Sequence, residues 1–137
     1  MRMKFRSILL GVALAIACAA LPALAHHAFN AEFDRQKPIT LTGKVTRVEW
    51  ANPHARIYFD VKNEAGEVVN WDFEMGSPNG LMRNGWRRDS LKTGDEITVT
   101  GWLAKHAPRV GNAGTVTMVA TGKRLFAASS EGDANAR

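Results

Sequence analysis

Beyond its first 25 residues this sequence has no thiol. The one cysteine among 137 residues is Cys18, and it falls in a segment expected to be removed on export. The remainder therefore has no disulfide and no thiolate ligand, and any metal must be held by nitrogen, oxygen or thioether. Also missing are an HExxH helix, a glycine-rich phosphate loop and a serine paired by motif with a base, while the carboxylates are scattered. Those absences argue against the common hydrolase and nucleotide-dependent chemistries. No internal repeat is present. Even the basic character is thin: 18 Lys+Arg stand against 13 Asp+Glu, a net +5. Three of those cations, Arg2, Lys4 and Arg6, lie in the leading segment, and the fifteen that remain give about +2. A nearly neutral exported domain does not fit a nucleic-acid partner.

What is present begins with an export signal. Arg2, Lys4 and Arg6 form a basic start, Ile8 to Ala20 an apolar stretch, and Ala23-Leu24-Ala25 a small-x-small cleavage motif. The apolar stretch is short for a membrane span. The expected organisation is a signal peptide over 1–25, an N-terminal arm over 26–38, one domain over 39–126 and a disordered tail over 127–137. The mature form is expected in the periplasm or outside the cell, without a membrane span. A lipid anchor on Cys18 is the weaker alternative, because Ala15-Ile16-Ala17-Cys18 only loosely matches a lipoprotein box.

The domain has a period of two. Ile39, Leu41, Gly43 and Val45 share one parity and Val48 and Trp50 the other, which predicts a bulge near Thr46-Arg47 in a long, bending first strand. Ile57, Phe59 and Val61, then Val69, Trp71, Phe73 and Met75, flank the turn Asn63–Gly66 and predict a hairpin. Ser77 and Pro78 predict the cap and first position of a helix of about two turns, with Leu81 and Met82 facing the core and Gly85 ending it. Strands follow around Ile97–Leu103, after a loop at 105–114 around Val116–Ala120, and at Leu125-Phe126. Phe29 and Phe33 are placed to pin the arm on the body, and Trp102 to lie outside the core. Three strands, a helix and two or three more strands predict an all-β OB-fold-like small barrel of five to six strands. A lipocalin-like barrel needs more strands, and an immunoglobulin-like sandwich needs about seven and no central helix.

His26-His27-Ala28-Phe29, Leu41-Thr42-Gly43, Asn52-Pro53-His54, Glu74 to Leu81, Gly85-Trp86 and Leu91 to Asp95 together resemble a group of small exported bacterial proteins defined as a domain of unknown function. The resemblance implies an exported single domain of unassigned activity and supplies no catalytic residue. His106 lies outside these stretches.

The histidines carry the first functional expectation. Cleavage after Ala25 leaves His26 with a free amine, and amine and imidazole together chelate a metal. His54, on a loop between the first two strands, is the candidate third nitrogen, with His27 an alternative ligand. Copper(II) suits such a nitrogen set, for storage, delivery or sensing; a copper-dependent oxidase is a remoter reading, for want of any substrate-orienting motif. His106, Met75 and Met82 are weaker ligand candidates. The bland reading is a solvated arm and a turn-capping His54. The second expectation is a non-metal module for an anionic small molecule, peptide or envelope partner. It would use Ser77 and Asn79 at the helix start with Arg83, Arg87 and Arg88. There the bland reading is a simple cap and surface arginines paired with Glu74 or Asp89.

Overall fold

The computed structural model describes residues 29–128. After a helical turn over residues 29–32, six strands follow: β1 (Phe33–Glu49), β2 (Arg56–Lys62), β3 (Val68–Glu74), β4 (Glu96–Ala104), β5 (Val110–Met118) and β6 (Arg124–Phe126), with one helix, α1 (Pro78–Arg83), between β3 and β4. The strand order is β3-β2-β1-β4-β5-β6. A parallel seam, Asp72–Glu74 against Val110–Asn112, joins β3 to β5 and closes the sheet on itself. A five-stranded closed sheet in this order, with a helix after the third strand and β6 added along β5, is an OB-fold barrel.

β1 serves both halves of the barrel. Its first part pairs with β4 and its last part with β2, Lys44 being common to both. The pairing with β2 slips between Val45 and Arg47, where the parity switch predicts a bulge. The extra residue lets Val45, opposite Phe59, and Val48, opposite Ile57, both turn inward. The barrel is filled by Val45, Ile57, Phe59, Phe73, Ile97, Val99 and Val116, each no more than 1% exposed. Exposed threonines face each other across β1 and β4, with Thr42 and Thr98 hydroxyls 2.9 Å apart.

α1 closes one end. Ser77 Oγ accepts from the Gly80 amide at 3.2 Å, Pro78 occupies the first turn, and Gly85, at φ 88°, takes the chain out. Leu81 is fully buried, and the buried Trp86 donates its indole N–H to the Phe126 carbonyl at 2.7 Å.

Four details differ from the sequence reading. Met82 does not join Leu81 in the core but is 49% exposed, since the short helix rests on one residue per turn. β1 begins at Phe33, inside the expected arm. β5 begins at Val110, inside the expected loop. Ala127 and Ala128 are buried, and both amides donate to the Gly114 carbonyl, so the packed body extends past residue 126. The rest of the expected tail, the signal segment, and His26 and His27 lie outside the described residues.

Candidate functional site

The alternation that sends Ile57, Phe59 and Phe73 inward sends Arg56, Asp72 and Glu74 outward. Register then makes them neighbours, because Arg56 lies directly opposite Glu74. The Arg56 guanidinium grips Asp72 with two parallel hydrogen bonds, Nε to Oδ1 at 2.9 Å and Nη2 to Oδ2 at 3.0 Å, and reaches Glu74 Oε2 from Nη1 at 3.4 Å. Burial works against the charge on Arg56, yet the hydrogen bond to Asp72 and the charges of Asp72 and Glu74 outweigh it and raise its pKa above the ordinary arginine value.

His54 completes the group. It follows a cis Asn52–Pro53 bond in the loop joining β1 to β2. Its Nδ1 donates to Glu74 Oε1 at 2.9 Å, with the imidazole side chain 33% exposed and the carboxylate 9% exposed. A carboxylate on one ring nitrogen fixes the ring and leaves the other nitrogen for a proton or a metal. Glu74 is in turn held by Arg56, so the carboxylate on which the ring leans is itself fixed. Among the described residues no three His, Cys, Asp or Glu side chains gather as a ready metal cluster, so a metal on His54 needs ligands from elsewhere.

Following the pairings sideways from this group traces a belt around the barrel: Glu49, Arg56, Glu74, Asn112, Trp102 and Pro38 lie side by side on successive strands. Paired residues project on one face, so Asn112 lies between Glu74 and Trp102. It is 0% exposed, and neither its Oδ1 nor its Nδ2 has a hydrogen-bond partner. An orphaned buried amide costs about 1–3 kcal/mol. Asn112→Leu is therefore expected to raise the melting temperature by roughly 5 °C or more, at about 4–8 °C per kcal/mol for a domain near this size. A lower melting temperature in a thermal scan would show that the amide is satisfied in solution.

The start of the described chain is fastened to the same belt. Phe29 sets its ring edge-on to Trp102 at 5.8 Å, and Phe33 lies 5.3 Å from Phe29. Arg35 stacks over Phe29 at 4.4 Å. Lys105 donates from its backbone amide to the Glu32 carbonyl at 2.9 Å and from Nζ to the Asn30 carbonyl. Pinning of the arm by Phe29 and Phe33, expected from sequence, is observed, and both rings are buried.

The other predicted site residues lie apart from this group. His106 is exposed beyond β4 and lines a cavity of about 380 Å³ with Ala31, Glu32, Ala104, Ala107 and Val110. Met75 is fully buried in the core. Ser77 is occupied as the helix cap, and Asn79 and Arg83 are exposed. Arg87 and Arg88 line a second cavity of about 480 Å³ with Met82, Trp86 and Asp89, a lining that includes neither Ser77 nor Asn79. Glu74, a suggested partner for these arginines, is instead engaged by His54 and Arg56. Sequence reasoning missed Arg56, Asp72 and Asn112. The strand parity of the first two was the available signal, but their meeting depends on register.

Residues 13–115 match a family of unknown function (DUF6152). The chain belongs to this family. Its members are thus joined by a shared domain whose activity is unassigned, as the sequence motifs imply. No curated protein matches the chain. Among solved structures, the ZRD-deleted mutant of TiaS in complex with agmatine is similar at 21% identity and a TM-score of 0.43, over 63% of this chain and 22% of that one. TiaS in complex with a transfer RNA and ATP is similar at 21% identity and 0.43, over 63% and 19%. The N-terminal domain of PriB from Thermoanaerobacter tencongensis is similar at 20% identity and 0.41, over 62% and 98%. The chain spans about a fifth of the TiaS chains. Among the described residues no helix is long and apolar enough to cross a membrane.

Proposed function

We propose that this is an exported copper-binding protein. Its site would join the amine and imidazole of a processed His26 to the outer ring nitrogen of His54, with His27 as an alternative ligand. The supporting observation is the His54 Nδ1 contact with buried Glu74, which orients the imidazole as carboxylates orient metal-bound histidines. Reach is consistent with it. Trp102 and Glu74 are two strands apart on the belt, about 10 Å at the usual strand spacing. The three residues from Phe29 back to His26 span at most about 10 Å. A set of nitrogen donors without thiolate suits copper(II), in storage, delivery or sensing.

N-terminal sequencing of the exported protein, followed by copper titration, tests the reading. The expected result is cleavage between Ala25 and His26 and one copper bound per chain. Binding should weaken in His54→Ala and in protein extended by a residue before His26. Cleavage elsewhere, or wild-type binding by His54→Ala, overturns it.

A second reading rests on the other cavity. Arg87 and Arg88 line it beside the exposed Met82 and make no ion pair among the described residues. That surface fits an anionic small molecule, peptide or envelope partner, and Arg83 lies near it in sequence. Protection of the fold by added phosphate or a carboxylate, lost in Arg87→Ala, separates this reading from the first.

A further inference from the structure

We propose that the first half of β1 is an assembly edge whose occupant is the same edge of a second copy of this chain, the two joined about a two-fold axis at Thr40. The inference does not depend on the copper reading or on the arginine cavity.

β1 has strands on both sides only at Lys44. From Pro38 to Gly43 it pairs with β4, and its pairing with β2 begins at Lys44, opposite Asp60. Among the described residues, the other edge of Pro38–Gly43 therefore has no strand beside it. Which groups it presents follows from Val45, whose N–H donates to the Asp95 carbonyl at 2.9 Å and whose carbonyl accepts from the Gly94 amide at 2.8 Å. Val45 thus turns its backbone toward the β4 side. Backbone groups alternate in direction along a strand, so Gly43, Leu41 and Ile39 do the same, and Thr42 and Thr40 point theirs at the open edge. Two observations agree. Thr40–Thr100 and Thr42–Thr98 become the close, non-hydrogen-bonded pairs, and their hydroxyls do meet, at 3.3 Å and 2.9 Å. Pro38 shares the parity of Thr40, so the donor that proline lacks is one that β4 does not need.

The stretch Pro-Ile-Thr-Leu-Thr-Gly carries no charge, and an open, uncharged edge is a template for another strand. A second copy fits it. With Thr40 opposite Thr40 of the partner subunit, the two residues exchange both backbone bonds, and each Thr42 amide meets the carbonyl of Pro38 across the axis. Ile39 then lies opposite Leu41 twice over, and both are apolar residues only partly buried in the single chain. Like charges directly opposite destabilise a strand pair, and here none face each other: Lys37 falls opposite Gly43 and Lys44 opposite Gln36. Length also matches. The edge stops at Lys44, where Asp60 takes the neighbouring place, and β1 itself pairs regularly only from Pro38 onward. A two-fold contact of this kind uses the same patch on both copies and closes, so it makes a dimer and not a fibre.

Analytical ultracentrifugation of the metal-free protein over a range of concentrations tests the pairing, and a monomer–dimer equilibrium is expected. Thr40→Pro removes the amide that each copy donates at the axis and should weaken the dimer about tenfold or more. Thr40→Lys keeps that amide but sets two ammonium groups against each other; it should have the same effect and serves if the proline variant fails to fold. A thiol reports the register directly. In a Cys18→Ser background, which holds no other cysteine, Thr40→Cys should form an intermolecular disulfide under mild oxidation, because residues paired this way have Cα atoms about 5.5 Å apart, within disulfide range. Thr121→Cys, at an exposed turn, should not. A monomer at every concentration would overturn the proposal and leave the edge to a foreign strand. A dimer indifferent to both Thr40 variants, or one cross-linked equally well through residue 121, would overturn it by placing the contact on another face.

Discussion

Gly101→Ala is expected to be among the most destabilising single substitutions in this domain. A Cβ at residue 101 would sit 1.9 Å from the Asn112 carbonyl oxygen and 3.1 Å from the Ala113 Cα. Both obstacles are backbone, so no side-chain rotation relieves the clash, and β4 and β5 must separate. This is also where their register slips, between Thr100 and Gly101. Overpacking usually costs about 1–3 kcal/mol when side chains can yield, and here about 3 kcal/mol or more is expected. The melting temperature should then fall by roughly 12 °C or more. Gly43→Ala, whose Cβ would meet the Asp60 carbonyl at 2.3 Å, should come next. Thr100→Ala, at an exposed neighbouring position, should change little. Thermal unfolding of the three variants checks the order, and a Gly101→Ala protein that melts like the parent would show that the barrel does not close as described.

At the proposed copper site, Glu74→Gln is expected to weaken binding about ten- to a hundredfold, the usual cost of disturbing the partner of a metal-bound histidine. The substitution keeps the shape of the side chain and removes its charge. His54 then loses the anion that orients its ring from 2.9 Å, and Arg56 keeps its two bonds to Asp72. Because Arg56 retains that partner, the stability loss should be about 1–3 kcal/mol, less than for a buried charge left alone. The two effects separate in a double variant. If Glu74 acts on copper through His54, adding Glu74→Gln to His54→Ala should produce no further loss of affinity. An additive loss would mean that the carboxylate contributes by another route, and an unchanged affinity in Glu74→Gln alone would remove it from the site.

The parts of this fold that local chemistry dictates could be read from sequence. The switch of parity between Val45 and Val48 marks the bulge, Asn63–Gly66 marks the hairpin, and Ser77-Pro78 marks the helix start. Other parts depend on distant neighbours. Residues 105–114 read as a loop because they include Pro108, Gly111 and Gly114, but both glycines belong to β5. A Cβ at Gly111 would sit 2.6 Å from the Phe73 ring, and Gly114 lies against Trp102. What looks like loop composition is a requirement of close approach. Ala127 and Ala128 resembled a tail because nothing local shows that they bond to Gly114. The candidate site divides in the same way. His54 stands out as a histidine after a proline, whereas its partner Glu74 is twenty residues away and is identified only by the pairing of β2 with β3.

Gly114 has a practical consequence. It lies beneath Trp102, against which the first described residue packs, and its carbonyl receives the amides of Ala127 and Ala128. The beginning and the end of the folded body therefore converge on one stretch of β5. A change at this one glycine would therefore disturb both ends of the folded body at once, since a Cβ there would meet the Thr100 carbonyl and the Trp102 ring at 3.3 Å.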